Sequence, residues 1–139
     1  MKSQTTNHDI QIGDVFRSNA GGRLVTVVPR SEYEKHRLAH YWNLPTIDSR
    51  DVFYRGKTGA VMVALAANFL KGRRLIERGG VRVGDVRGCG TSGSRSTVVE
   101  FREGGAICRV SFGSDLSDEW FPLDFLSTLP LLERDGKVV

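Results

Sequence analysis

Histidines four residues apart are the first feature that asks for chemistry. The chain holds three, His8, His36 and His40, and the last two stand one helical turn apart, as two metal ligands on a helix do. The zinc-protease pattern places a glutamate directly after the first histidine and adds a third ligand. Arg37 occupies that place here, so no metal is expected and both read as surface or packing histidines. A serine or cysteine nucleophile has few bases to draw on, and Asp118-Glu119, on a loop before a strand, reads as solubilising charge. Cys89 and Cys108, the only cysteines, lack ligand spacing and read as reduced thiols. Neither Arg55-Gly-Lys-Thr-Gly59 nor Gly88-Cys-Gly-Thr-Ser-Gly93 is a nucleotide loop. The first lacks the upstream glycine and leads into a strand where a phosphate loop leads into a helix. No catalytic residue, metal or cofactor is expected, and the chain reads as a binding protein rather than an enzyme.

Positive charge is the chemistry that remains. The net charge is +4 and the pI near 9.4, but the excess is uneven. Residues 10–80 hold twelve Lys and Arg against six Asp and Glu, whereas residues 81–139 hold seven against nine. Within the basic part, Arg17 and Arg23 flank a Gly-rich loop, Arg50, Arg55 and Lys57 border a strand and its turn, and Lys71, Arg73 and Arg74 follow a helical turn. Loops of a small barrel gather at one rim, where such cations and exposed backbone amides suit phosphates. These eight residues are the expected nucleic-acid contacts; a solvated basic face is the alternative.

The elements that position them follow from a repeat. At 139 residues the chain has the length of one domain, yet it matches itself. Ile10-Gln-Ile-Gly-Asp-Val15 reappears as Val81-Arg-Val-Gly-Asp-Val86, an offset of 71 that yields seven identities over the 19 positions 10–28, where background frequencies give roughly one. Asn68–Gly80 lies over Asp124–Gly136 at an offset of 56, with six of 13 positions identical. The first copy therefore carries fifteen extra residues, placed after Val28. Residues 1–9 read as a flexible tail with no secretory signal, residues 10–80 as a first unit with an insertion at about 29–49, and residues 81–139 as a second unit.

Repetition also decides between helix and strand for Ala60–Ala67. Its counterpart Leu116–Leu123 contains Pro122, which a helix interior rejects and a strand end tolerates. Each unit then reads as five short strands and one helical turn. These start at Ile10–Val15 or Val81–Val86, continue through Val25–Val28 or Thr97–Phe101, then Val52–Tyr54 or Ile107–Phe112, then the strand just placed and the turn, and close at Leu75-Ile76 or Leu131-Leu132. The expected fold class is all-β, as two tandem small barrels with one inserted short helix.

The second unit, with Gly84-Asp-Val86, Arg109-Val-Ser-Phe112 and Trp120-Phe-Pro-Leu-Asp-Phe-Leu126, resembles the Tudor and KOW type of Src homology 3-like barrels. That resemblance implies a five-stranded barrel closed by a short turn and a last strand. The run Ile12-Gly-Asp-Val-Phe-Arg-Ser-Asn19 with the following glycines is also similar to short repeats of phage proteins found beside HNH-type nucleases, whose own histidine motif is absent here.

The insertion contains Ser31 and Glu34 in capping-box spacing, which predicts a helix over 32–42 stopped before Pro45. Tyr33, Arg37 and Tyr41 share one side of it, and with Trp42 they have the composition of a protein contact surface; covering an open barrel end is the alternative. The longest apolar run is too short for a bilayer span of ~20 residues. A cytoplasmic protein without membrane contact is expected. The first reading makes its basic unit a partner of DNA, RNA or a nucleic-acid-bound protein. The second makes it a phage-encoded module or inhibitor that engages a host enzyme through Tyr33, Arg37, Tyr41 and Trp42.

Overall fold

Alternation of apolar and polar side chains produces β1 (Val15–Ser18) and β2 (Leu24–Val28), with Phe16, Val25 and Val27 buried and Arg17, Leu24 and Thr26 exposed. The computed structural model describes residues 10–40, 50–89 and 93–139 and divides into two units, Met1–Leu75 and Ile76–Val139. After β2 come α1 (Arg30–His40), β3 (Asp51–Arg55), β4 (Val61–Leu65) and a single helical turn, α2 (Ala66–Leu70). Then β5 (Arg73–Arg78), which runs through the boundary, forms a hairpin with β6 (Val81–Arg82). The second unit continues with β7 (Val86–Cys89), β8 (Ser94–Arg102), β9 (Gly105–Phe112), β10 (Asp115–Pro122), α3 (Leu123–Thr128), β11 (Leu131–Arg134) and β12 (Lys137–Val138).

The strand orders are β4-β3-β2-β1-β5-β6 and β10-β9-β8-β7-β11-β12, the same order twice. Among the described residues the protein is thus mostly β, with two six-stranded antiparallel sheets and three short helices. Neither order pairs its own end strands, so no sheet closes on itself among the described residues.

The shared Gly-Asp-Val motif makes a turn before it makes a strand. The Asp14 amide donates to the Gln11 carbonyl at 3.0 Å, and the Gln11 amide donates to the Asp14 carboxylate at 2.8 Å. Gly13 bridges the two at φ 95°, a conformation that side-chain-bearing residues resist. Its amide reaches the Val27 carbonyl at 2.8 Å. Every one of these bonds recurs 71 residues later: Asp85 to Arg82 at 2.9 Å, Arg82 to the Asp85 carboxylate at 3.0 Å, and Gly84, at φ 93°, to Val98 at 2.8 Å. The expected first strands at Ile10–Val15 and Val81–Val86 are corrected accordingly. The strand β1 or β7 starts only after the aspartate, whose side chain takes a backbone amide locally, and in the second copy Val81–Arg82 forms the separate strand β6.

Equivalences elsewhere shift in steps. The hairpin registers Glu77↔Arg82 and Glu133↔Val138 are 56 apart, as the alignment expects. The helical turns are 57 apart instead, since Leu65 and Pro122 occupy the N-cap positions and Phe69 and Leu126 are the buried anchors. Phe69 therefore corresponds to Leu126, and Phe125, its partner by sequence, is 41% exposed. Strand partners Val27↔Tyr54 and Val98↔Cys108 set β3 and β9 at an offset of 54. All of the extra length thus falls between β2 and β3, and the β9–β10 hairpin of the second copy gives part of it back.

In the first unit Phe16, Val25, Val27, Val52, Tyr54 and Phe69 form the core on one face of the sheet. The Phe16 and Phe69 rings meet edge to face at 5.0 Å, a geometry worth roughly 0.5–1.5 kcal/mol beyond burial. The opposite face carries Val28, Phe53, Val61 and Val63, covered by Tyr33 of α1. The second core is Val81, Val98, Ala106, Cys108 and Leu126. Helix α1 starts at Arg30, two residues before the expected start, so Ser31 lies inside it. Arg30 donates to the Glu34 carboxylate at 3.1 Å.

Candidate nucleic-acid interface

Strand direction decides which loops meet. In the antiparallel ladder β1↔β2↔β3↔β4, β1 and β3 run toward the same end. The β1–β2 loop, Asn19–Arg23, and the β3–β4 loop, Gly56–Ala60, are therefore neighbours. The Asn19 amide donates to the Gly72 carbonyl at 2.7 Å, which brings the α2–β5 connection to the same end. Arg17, Arg23, Lys57, Lys71 and Arg74 are all exposed there. None of the five carries an ion pair among the described residues, and no Asp or Glu lies in the three loops. Uncompensated cations on neighbouring loops raise the local potential and attract phosphates.

The other three predicted contacts are placed differently. Arg73 is half-buried, its guanidinium 5.1 Å from the Tyr54 ring centroid and 4.8 Å from that of Phe69, and it donates to the Phe69 carbonyl at 3.0 Å. It props the helical turn against the core by cation–π contact. Arg55 donates to Glu32 of α1 at 2.6 Å. That bond holds the Glu32 carboxyl below its ordinary value against the opposing effect of desolvation, with the charges of Lys35 and Arg55 assisting. Arg50 precedes β3, at the opposite end of the sheet. It lines a groove of about 770 Å³ together with Ile10, Ile12, Phe53 and Leu65.

Of the predicted protein-contact residues, Tyr33 is 4% exposed and packs on Phe53 with ring centroids 5.1 Å apart. Its ring covers the sheet and does not face solvent. Arg37 is half-buried on the same helix. Tyr41 and Trp42 lie outside the described residues, as does the side chain of His40. Among the described residues no group of three or more His, Cys, Asp or Glu side chains gathers as metal ligands would.

A buried charge cluster in the second unit was not legible beforehand. Asp85, 0% exposed, receives Arg134 Nε at 2.9 Å and Nη2 at 2.7 Å. Burial pushes the Asp85 carboxyl up, but the Arg134 hydrogen bonds, the Arg82 amide and the charges of Arg134 and Arg87 outweigh it, leaving the group below its ordinary value. Arg87, 6% exposed, donates to the Leu126, Leu129 and Gly80 carbonyls at 3.2, 3.0 and 2.9 Å. It stands where the first copy has Phe16, so one copy centres on an aromatic ring and the other on an arginine tying α3 to the β5–β6 turn. The signal for the Asp85–Arg134 pair was the recurrence of Gly-Asp-Val and Glu-Arg in both copies. Conserved spacing alone did not say that the two would meet.

Cys108 is fully buried, and burial pushes its thiol up to about 11, which disfavours the thiolate. No helix is long and apolar enough to cross a membrane among the described residues. No protein-family model, no curated protein and no solved structure matches this chain.

Proposed function

We propose that the protein is a non-enzymatic nucleic-acid-binding protein of two Src homology 3-like, Tudor-like barrels, acting in the cytoplasm, whose first unit holds DNA or RNA by its phosphates. The observation that carries the reading is the basic end of the first sheet. Arg23, Lys57 and Lys71 lie on three adjoining loops that hold no acid, and Arg17 and Arg74 are exposed on the strand ends beside them. Support for the barrel reading is the repeated order β4-β3-β2-β1-β5 with a helical turn before the last strand. Arg73 props that end from within the fold, Arg55 is tied to Glu32 of α1, and the burial of Tyr33 removes one anchor from the rival aromatic surface.

Salt titration tests the proposal. Five neutralised phosphates on a duplex give a slope of log K against log salt of about −4.5, a loss of about 500-fold between 50 and 200 mM. Fluorescence anisotropy with labelled duplex DNA and single-stranded RNA reads this directly. Arg23→Gln with Lys57→Gln should lower the slope by about 2 and weaken binding alike across sequences. No binding to either probe at 50 mM salt, or binding indifferent to salt, overturns it.

A further inference from the structure

The two copies treat the outer face of their sheets differently, and the difference points to a partner. In the first copy Val28, Phe53, Val61 and Val63 are covered by α1 through Tyr33, and Arg55 reaches up to Glu32 on that helix. Strand registers assign the counterparts. Thr26↔Arg55 matches Thr97↔Arg109, and Phe53↔Val63 matches Ile107↔Trp120. The second copy has no inserted helix. On this face Trp120 is 45% exposed and Leu116 68%; a bulge at Val99, itself 41% exposed, sets Glu100 opposite Ile107, and Glu100 is held by Arg102.

We infer that this bare face is the docking site for an amphipathic helix of a partner protein, seated as α1 is seated on the first copy. Charge selects the occupant. Arg109, the counterpart of Arg55, has no helix carboxylate to meet and pairs instead with Asp118 on the next strand at 3.1 Å, both side chains more than half exposed. Such a pair contributes little in water and yields to a better-placed partner. Asp118 occupies the position of Val61, so a helix that captures Arg109 must also offer Asp118 a cation. The fitting helix therefore presents an acid for Arg109 and an adjacent aromatic for Ile107 and Trp120, as Glu32 and Tyr33 do on α1, together with a base for Asp118. The Trp120 indole is preset for this role, since its Nε1 donates to the Arg102 carbonyl at 2.7 Å and fixes the ring across the β8–β9 turn.

The probe is a synthetic peptide of residues 29–40, stapled between positions 31 and 35, both exposed on α1, because a free helix of this length is marginal in water. It is titrated into the full-length, isotope-labelled protein, whose own α1 already fills the first face. Saturable amide shifts confined to Val99, Ile107, Arg109, Leu116 and Trp120 are expected. A Tyr33→Ala peptide should bind at least about tenfold more weakly, the ratio that 1.4 kcal/mol of lost contact produces, and Leu116→Glu in the protein should abolish the shifts with its spectrum otherwise unchanged. Shifts centred on the basic loops of the first unit, equal binding by the Tyr33→Ala peptide, or no shift at all overturn the inference. None of these outcomes depends on nucleic-acid binding.

Discussion

Replacing Asp85 by Asn removes a charge and almost no volume, so its cost measures the buried pair rather than packing. The carboxylate is 0% exposed and accepts three hydrogen bonds, one from the Arg82 amide at 3.0 Å and two from Arg134 at 2.9 and 2.7 Å. The Arg87 guanidinium stands 3.6 Å away. Breaking a buried pair from one side costs about 3–5 kcal/mol, because the remaining charge is stranded. Arg134, with 29% of its side chain exposed, recovers some hydration, whereas Arg87, at 7%, does not. The lower half of that range, about 3–4 kcal/mol, is therefore expected. A unit of this size has roughly 0.05–0.15 kcal/mol of stability per residue, about 3–10 kcal/mol in all, so the loss takes from about a third to the whole of it. Urea unfolding followed by circular dichroism at pH 7 reads the change. Acid supplies a second arm. The folded carboxyl titrates below the ordinary 3.8, so its contribution is complete above that value and disappears as pH falls through the lower, folded value. The gap between wild type and Asp85→Asn should close below pH 3.8. A loss under about 1 kcal/mol at pH 7, the scale of a surface pair, or a gap that persists in acid refutes the account.

Other outcomes follow from single contacts. Gly105→Ala should destabilise by about 3 kcal/mol or more in the same urea assay, since a Cβ there would lie 2.2 Å from the Phe121 carbonyl oxygen and 2.7 Å from the Trp120 ring. Tyr33→Ala should cost about 3–5 kcal/mol by uncovering Val28, Phe53 and Val61, whereas Glu32→Ala, which breaks only a partly exposed pair, should leave the urea midpoint nearly unchanged. Cys108, its thiol raised to about 11 by burial, should resist alkylation at pH 8 in the native protein and react in denaturant, as mass mapping of its peptide would show.

The sequence by itself determined the repeat, and through it most of the fold. Pro122 pointed to a strand over Ala60–Ala67, and the strand is there at Val61–Leu65, although Ala66-Ala67 already open α2. The two Gly-Asp-Val motifs, expected as strand, make identical turns, because a glycine at positive φ and a carboxylate within reach of a backbone amide act locally. The concentration of charge in the first copy was equally legible. What only the tertiary structure decided was which cations are available. Arg55 and Arg73 are indistinguishable from Lys57 and Arg74 in sequence, but strand register turns one toward Glu32 and stacks the other over Tyr54 and Phe69. The one-residue slip at the helical turn, which buries Leu126 and exposes Phe125, was hidden for the same reason. Two adjacent apolar residues are equivalent until a core on one side selects between them.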